Sequence, residues 1–397
     1  MTYPTIRPEL TLDFANSRQL DPRITFSRSS SATYLNTDTG LITSASDHEA
    51  RFEDEGLLIE EQKTNYVEYS YDLNNSGGYW INRFGDWTIT GSQPAPDGTN
   101  TAVQLTNNGG GNLYHQVVFQ TAASPDPTSV TWSFFAKYAG SGSNEIRILC
   151  NQQGGTNQAD FNTETGALVS STGVVTPENG TYIGNGWYRF SITDINVAAS
   201  RNVGMNFQTQ GSTNILLWGV QIEAGTLTSY IPTSGSTVTR AADIAQITGD
   251  NFNSWYNQSE GTYLIKAIGP AQDKYNLSSF RGSSGNKGIN FRVSNSSGVV
   301  EVKAINGANI SISDGTMDGC LIQDGVKVAF SYGDGVLYAR GSNSTEKPTL
   351  NPAAANSIPI PGIGKLIFSY GNYTYHLTRA AYYSRRLTDL ELETLTL

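Results

Sequence analysis

Charged residues and long apolar runs are both scarce in this sequence of 397 residues. Charged side chains make up 15% of the chain, and acidic residues outnumber basic ones to give a net charge of −10. A surface of this sign repels phosphate backbones, so we do not expect nucleic acid as a partner. No run of about 18 apolar residues occurs, and we therefore expect no membrane insertion.

Cysteine is also rare, and its two instances are Cys150 and Cys320. They lie far apart in the sequence, and we expect both to be reduced, buried thiols rather than partners in a disulfide. The first residues lack the basic and apolar regions of a signal peptide. We therefore expect the chain to be made in a cytoplasm.

Glycine, tyrosine and the uncharged polar residues are abundant by contrast. The chain holds 41 glycines and 21 tyrosines, and hydrophobic residues make up 38% of it. Such a composition is poor in helix formers and rich in strand and turn formers. Disordered chains lack aromatic residues, whereas aromatics reach 11% here. The composition predicts a folded all-β protein.

The pattern of strand and turn residues divides the chain into three zones. Residues 1–65 contain short strand-like runs and end near the apolar cluster of residues 57–59, which we expect to form a short buried strand. In residues 66–235 and again in residues 236–397, short strands follow at close spacing with turn residues between them, as is typical of a sandwich. We predict two consecutive antiparallel β-sandwich domains after a short N-terminal anchor segment.

The third zone carries two specific local signals. Gly-Asp-Gly at residues 333–335 separates two alternating apolar runs and predicts a hairpin. Thr388, with Glu391 three residues further on, predicts the capping box of a short C-terminal helix. The apolar stripe that would dock this helix on the sandwich consists of Leu387, Leu390 and Leu395.

Several stretches resemble a known group of virion proteins. The leader of many bacteriophage virion proteins is similar to "RITFSRSSSATYLNTDTGLI" followed by "EARFEDEGLLIEEQKTNYVEYS". The end of the carbohydrate-binding-module-like jelly roll that follows this leader resembles "GWYRFSITDI" and "LLWGVQIEAGTLTSYIPTSGSTVTRAAD". The last zone, which ends in "AAYYSRRLTDLELETLT", is similar to concanavalin A-like (laminin-G-like) domains. The resemblance implies two jelly-roll or lectin-like sandwiches on a tail fibre, tail tip or head appendage.

The stretch that closes the second zone ends in a carboxylate, Glu223. In the similar modules residues 215–222 form the final strand, so strand alternation puts Trp218 and Val220 on one face of the sheet. Glu223 then lies at the sheet rim, where it can bind a backbone amide or water. Glycosidases need two carboxyl groups about 5–10 Å apart. No acidic partner for Glu223 lies on its own strand, and no residue elsewhere is marked as one.

Other catalytic patterns are also missing. The three histidines, His48, His115 and His376, are scattered one to a zone without metal-ligand spacing, and each is expected to be a surface or packing residue. The Gly/Ser-rich loops lack the context of a phosphate-binding loop, and no serine lies in a nucleophile elbow. We expect no enzyme activity, no catalytic residue and no cofactor.

A calcium site is a candidate that rests on three aspartates. Asp314, Asp318 and Asp324 lie in turn-rich sequence, and calcium prefers carboxylates and carbonyls from loops. Jelly-roll and laminin-G-like folds often carry such an ion. Asp-Gly is also the commonest plain turn, so the turn interpretation stays open beside the metal site.

Aromatic residues in loop-like segments are the candidates for glycan binding. Sugars stack on aromatic faces while neighbouring amides and carboxylates bind their hydroxyls, in a pocket of mixed polarity. The candidates are Tyr79, Trp80, Trp87, Trp255 and Tyr256. In the alternative interpretation these side chains plug the ends of the sandwiches. Three further tryptophans lie within strand patterns and are expected in the core, namely Trp132, Trp187 and Trp218.

The zones and the resemblance together predict a structural adhesion protein on a bacteriophage virion surface. It would be a receptor-binding tail-fibre part or a head-decorating appendage, anchored as a homo-oligomer and bound to other virion proteins and host cell-surface polysaccharide. Shaft-like repeats are missing, which favours a stubby tail protein or a capsid decoration over a long fibre. Two alternatives stay open, a virion-associated polysaccharide depolymerase and a purely architectural subunit without a ligand.

Overall fold

Antiparallel strands dominate the computed structural model of the chain, which confirms the predicted all-β sandwich class. The structure describes residues 7–71, 73, 80–82, 87–107, 117–120, 129–150, 157–173, 175–194, 204–208, 212–270, 276–282, 288–293, 298–305, 311–334, 336–342, 362–368 and 374–397.

The strands are numbered in chain order. The first are β1 (Leu10–Asp13), β2 (Thr25–Ser27), β3 (Ala32–Asn36), β4 (Leu41–Ala45), β5 (Arg51–Glu53), β6 (Gly56–Ile59) and β7 (Lys63–Asn65). The middle ones are β8 (Trp80–Asn82), β9 (Trp87–Gln93), β10 (Ala102–Asn107), β11 (Val117–Gln120), β12 (Val130–Gly142), β13 (Glu145–Cys150), β14 (Gln158–Asn162), β15 (Leu168–Thr172), β16 (Val175–Pro177), β17 (Thr181–Gly184), β18 (Trp187–Asp194), β19 (Gly204–Gln208), β20 (Thr213–Ala224) and β21 (Val238–Arg240). The last are β22 (Ile244–Thr248), β23 (Gly261–Ile268), β24 (Asn276–Gly282), β25 (Gly288–Val293), β26 (Val299–Ile305), β27 (Ser311–Leu321), β28 (Val326–Gly333), β29 (Val336–Gly341), β30 (Ile363–Ile367) and β31 (Tyr375–Tyr383). The helices are α1 (Phe14–Ser17), α2 (Asp250–Asn253) and α3 (Asp389–Thr396), and Ile322–Asp324 forms a 3-10 turn.

The first compact unit consists of Met1–Ser31, Ala45–Gln62 and Ala241–Leu397. Its sheet I has the order β29-β28-β23-β31-β6-β5, and β1 also pairs with β31. Its sheet II has the order β2-β22-β30-β24-β25-β26-β27. Tyr263 of β23 packs on Phe280 of β24 and Phe291 of β25, with ring centroids 4.9 and 5.2 Å apart. The core therefore lies between sheets I and II.

The second compact unit consists of Ala32–Ser44 and Lys63–Arg240. Its sheet III has the order β16-β18-β12-β20-β10-β9 with β17 beside β18, and its sheet IV has the order β15-β14-β13-β19-β11-β8. Phe134 of β12 contacts Phe161 of β14 and Phe207 of β19 across the two sheets, with centroids 6.3 and 4.9 Å apart. The core tryptophans are buried as predicted, namely Trp132, Trp187 and Trp218.

The first 65 residues, expected to be a separate anchor, are divided between the two units. Strands β1, β5 and β6 belong to sheet I and β2 belongs to sheet II, whereas residues 32–44 belong to the second unit. Leu10 of β1 pairs with Tyr382, and Leu57 of β6 pairs with Leu377. All residues of β6 are buried, which confirms the predicted strand at 57–59. The leader thus completes the sandwich that residues 236–397 were expected to form by themselves. Its anchoring role stays a prediction.

A buried ionic network joins the leader to the start of the last zone. Arg51 donates to Glu60 and to Asp243, each at 2.6 Å, and Arg28 donates to the other oxygen of Asp243 at 3.0 Å. These side chains are at most 1% exposed. Burial lowers the pKa of Arg51, but the charges of Glu60 and Asp243 outweigh it, so the pKa is raised. The network explains why the leader motif contains these charges, since a buried charge is tolerated only when it is paired.

Strand β20 departs from the predicted alternation at Gly219. The register against β12 shifts there, which inserts one extra residue into β20. Gly219 has a φ of 62°, a left-handed conformation that suits glycine at a bulge. Trp218 therefore packs on Phe135, whereas Val220 lies in the core between sheets III and IV. The prediction that Trp218 and Val220 share a face is wrong, because the bulge moves the alternation by one residue.

The C-terminal helix α3 begins with the predicted capping box. Thr388 accepts a hydrogen bond from the amide of Glu391, and the Glu391 carboxylate accepts one from the amide of Thr388 at 2.8 Å. Leu392 and Leu395 are buried, but Leu390 is 71% exposed, so the predicted stripe is wrong at that position. Leu392 lies one turn before Leu395 on the same helix face, whereas Leu390 points away. The helix covers part of the outer face of sheet I through the apolar cluster of Leu264, Ala329, Ala381, Tyr383, Leu387, Leu392 and Leu395.

Candidate ligand-binding cleft

A row of charged side chains crosses the outer face of sheet I. Lys327 of β28 lies opposite Lys266 of β23, Lys266 lies opposite Arg379 of β31, and Arg379 lies opposite Asp13 of β1. Residues directly opposite in an antiparallel pair project from the same side, with Cβ atoms about 4.5–5.5 Å apart. Ile265, which precedes Lys266 on β23, points into the core. The four charged side chains therefore point outward together.

This row, which we call the cationic row, lines a cleft of about 410 Å³. Pockets for small ligands commonly hold about 300–1,000 Å³. Asn16 and Thr378 add hydrogen-bonding groups to the walls, and the apolar surface comes from Leu264, Tyr383 and Leu395. The cleft combines charged, polar and apolar contacts.

The three cations of the row lack an ion pair with any residue that the structure describes. Lys266 and Lys327 are half-buried and Arg379 is exposed. Both oxygens of Asp13 accept hydrogen bonds from the Asn16 amide, at 2.9 and 2.8 Å. Like charges directly opposite each other on neighbouring strands repel. The row is thus a local positive site within a chain of net charge −10.

A β-bulge lies beside the cationic row. The register between β23 and β31 shifts after Lys266 and Arg379, and Thr378 is the extra residue. Bulges commonly re-aim side chains next to functional sites, and they end regular pairing locally. This bulge lets both Thr378 and Arg379 reach the cleft, although they are sequence neighbours that would point to opposite faces of a regular strand.

The aromatic residues that the sequence predicted for glycan binding do not come together at one site among the described residues. Tyr79 lies outside the described residues, and for Trp80 only its place in β8 is described. Trp87 and Trp255 are 4% and 5% exposed and belong to the cores of different units. Tyr256 is partly buried against the core of the first unit. The plug interpretation therefore describes Trp87 and Trp255, because a buried ring presents no face to a sugar.

Two of the three calcium candidates lie in a strand and not in the expected turns, whereas Asp324 lies in a turn. Asp314 and Asp318 lie within strand β27, where Asp314 is opposite Lys303, and their side chains are outside the described part of the structure. Asp324 is exposed at the end of the 3-10 turn. The turn-rich sequence pairs with β26 as an irregular strand instead of forming a loop. Calcium binding at these residues stays a prediction.

Glu53, Glu55 and His376 form a separate cluster whose ligand atoms lie within 4.8 Å of one another. His376 Nε2 and Glu53 Oε2 are 2.9 Å apart. Burial lowers the pKa of His376, but the hydrogen bond and charge of Glu53, with the charges of Glu55 and Glu60, outweigh it and raise the pKa. A metal ligand must be the neutral imidazole, so this environment favours an ion pair over metal binding.

Glu223 is buried at the end of β20 and is not exposed at a rim. It accepts hydrogen bonds from the amide of Thr228 at 2.9 Å, from the Thr228 hydroxyl at 2.7 Å and from Gln221 at 2.9 Å. Burial raises its pKa, and the charge of Arg189 and the Thr228 hydrogen bonds oppose that shift. The predicted bond to a backbone amide is confirmed. Glu223 closes the turn after β20 and has no surface with which to contact a polysaccharide.

Cys320 is a free, buried thiol, as expected. Burial raises its pKa to about 11, which makes it a poor nucleophile at neutral pH. The side chain of Cys150 and all of His115 lie outside the described residues, and His48 is exposed.

In the described part of the chain, no helix has the length and apolarity needed to cross a membrane.

Comparison with family models and with curated proteins finds no match. Sixteen chains of solved structures match. One is the full extracellular region of zebrafish Gpr126/Adgrg6, at 10% identity and a TM-score of 0.23, covering 74% of this chain and 37% of that one. Another is the tail fibre protein gp63.1 from an E. coli phage, at 10% identity and a TM-score of 0.22, covering 82% of this chain and 40% of that one. This chain spans about two fifths of the length of either structure. Likeness at this level carries no argument about function.

The cationic row was missed by sequence reasoning that searched loops for aromatic residues. Each of its three cations lies alone in an apolar strand, in "YLIKAI", "GVKVAF" and "HLTRAAYY". A single charge at an outward position of a strand is ordinary, so no one strand marks a site. Only the strand order brings the three together, and that order is set by pairing between distant segments.

Proposed function

We propose that this chain is a structural adhesion protein of a bacteriophage virion surface and that it binds host-surface glycans in the cleft on sheet I. The cleft carries the proposal, because it is concave, outward-facing and lined by charged, amide and apolar side chains. The resemblance of the leader and of both closing segments to bacteriophage virion proteins supports a place on the particle. Binding by many copies would turn weak single contacts into firm attachment.

The proposal is binding without cleavage. Glycoside hydrolysis uses two carboxyl groups on opposite sides of the scissile bond. Asp13 is the one carboxylate among the described residues that line the cleft, and its oxygens are held by Asn16. This arrangement supports an adhesion role over a depolymerase role.

The test has two arms. The labelled full chain is applied to an array of bacterial surface polysaccharides and short oligosaccharides, and washed particles of the phage that encodes it are analysed by mass spectrometry. We expect array binding without release of reducing ends, and the chain in the washed particles. No binding to any glycan would overturn the adhesion role, and release of reducing ends would replace it with depolymerase activity. Absence from the particles would overturn the virion assignment.

A further inference from the structure

Resting on the proposed glycan-binding function, we infer that the cleft selects saccharides that carry an anionic group, a carboxylate or a sulfate, over neutral saccharides. The observation is the cationic row, in which Lys327, Lys266 and Arg379 follow one another on neighbouring strands. Their side chains have no ion pair among the described residues, and all three line the cleft.

The row has the geometry of an anion site. The planar guanidinium of Arg379 can hold a carboxylate or sulfate through two parallel hydrogen bonds. Lys266, directly opposite, adds a second cation to the same face, and Lys327 adds a third. An anion between them removes the repulsion that like charges on neighbouring strands otherwise exert. We therefore expect a bound anionic group to stabilise sheet I.

The end of the row at Asp13 can contact the neutral part of the sugar. Asp13 is an acceptor for sugar hydroxyls, and it repels a second anionic group. Pro8 and Ala15, which are both half-buried, offer apolar surface to ring C–H groups. The cleft therefore matches a sugar ring with one anionic substituent better than it matches a dense polyanion, which the net charge of −10 also repels.

The inference is tested by titrating the full chain with four probes, trigalacturonate, a monosulfated galactotriose, neutral galactotriose and polyglutamate. We expect both anionic saccharides to bind at least about tenfold more tightly than the neutral one, since charged hydrogen bonds exceed neutral ones by that order. Binding of the anionic saccharides should weaken as NaCl is raised. Polyglutamate tests whether charge alone suffices, and we expect it to bind more weakly than trigalacturonate.

Two variants separate the cationic row from general charge. K266M/K327M keeps the aliphatic stems but removes two charges, and we expect it to lose at least about tenfold in affinity for trigalacturonate. K365M is the matched control, because Lys365 is a half-buried lysine on β30 of sheet II, and we expect its affinity to be unchanged. Thermal unfolding checks that each variant folds. R379Q, at an exposed position, provides a second removal if the double variant does not fold.

The outcomes are distinguishable from failure of the adhesion proposal. Equal affinity for neutral and anionic galactotriose, equal affinity for polyglutamate, or retained affinity in both K266M/K327M and R379Q would overturn the inference and leave glycan adhesion in place. Binding of the labelled chain to host cells without binding to any of the four probes would do the same. Absence of both probe binding and cell binding would overturn the adhesion proposal together with the inference.

Discussion

Charged side chains of the first unit lie in three kinds of environment. Arg51 is buried and paired with two carboxylates, and His376 is half-buried and paired with Glu53. Lys266 is half-buried without an ion pair among the described residues. The paired groups contribute to the stability of the fold, because breaking the pair leaves a charge in low dielectric. The unpaired cation is available to a ligand.

His376 makes the stability of the first unit depend on pH. Its folded pKa lies above the ordinary value of 6.5, so the stabilisation is complete below that pH and is lost as pH rises through the folded pKa. We expect the free energy of unfolding to fall above about pH 6.5 in the wild type and to fall less in E53Q, which removes the partner charge. Denaturant unfolding across this range measures the difference.

The exposed Glu55 supplies the graded control, because it acts on His376 through charge alone. E55Q should reduce the slope of stability against pH by less than E53Q does. Parallel curves for the wild type and E53Q would contradict the assignment, and an NMR titration of the imidazole would report the pKa directly.

At the scale of elements, the bulge in β20 determines which residues face each core. Gly219 has a positive φ, and a Cβ there would lie 2.7 Å from Phe135 Cδ2. The bulge sends Trp218 and Val220 to different cores. Without it, one of these side chains would be placed on the wrong face.

The substitution G219A tests this role, with G140A as the matched control. Gly140 also has a positive φ, 86°, but a Cβ there meets nothing within 4 Å. G140A should cost about 1–2 kcal/mol from the left-handed backbone alone. G219A should cost a further ~1–3 kcal/mol from overpacking against Phe135. Thermal unfolding compares the two, and equal losses would show that Phe135 moves aside freely.

Local patterns predicted local structure well and distant pairing poorly. The capping box at Thr388 and the strand at 57–59 follow from neighbouring residues and are confirmed. Leu390 lies on the wrong helix face because leucines occur on both faces of α3, and choosing between them requires the surface that the helix covers. The cleft depends on Asp13 and Arg379, which stand near opposite ends of the sequence and meet only through β1–β31 pairing.

At the scale of the whole molecule, the first unit is built from three separate stretches of chain. The network of Arg28, Arg51, Glu60 and Asp243 draws on all three. Asp243 is the member that contacts both arginines. It is therefore the residue on which the cohesion of this unit depends most directly.

The substitution D243N should destabilise the first unit by about 3–5 kcal/mol, because it removes the carboxylate that contacts both buried arginines. Hydrogen exchange resolved by peptide measures this, with faster exchange expected in β1, β6 and β31 and unchanged exchange in β12 of the second unit. D47N, at an exposed position, is the control and should change stability by less than about 0.5 kcal/mol. Equal loss of protection in both units would contradict the separate cohesion of the first.

The pairing of β1 with β31 also governs the order of events during synthesis. Residues 63–240 can fold as soon as they leave the ribosome, since the strands of sheets III and IV all lie within that stretch. Strands β1 and β2 and the paired strands β5 and β6 emerge earlier, but they lack their neighbours in sheets I and II until β22 and β31 have been translated. Such a delay in strand pairing slows folding and leaves the early strands open to intermolecular pairing. Translation speed and chaperone supply therefore matter for the yield of this protein, and a clone of residues 241–397 alone lacks four strands of its own sandwich.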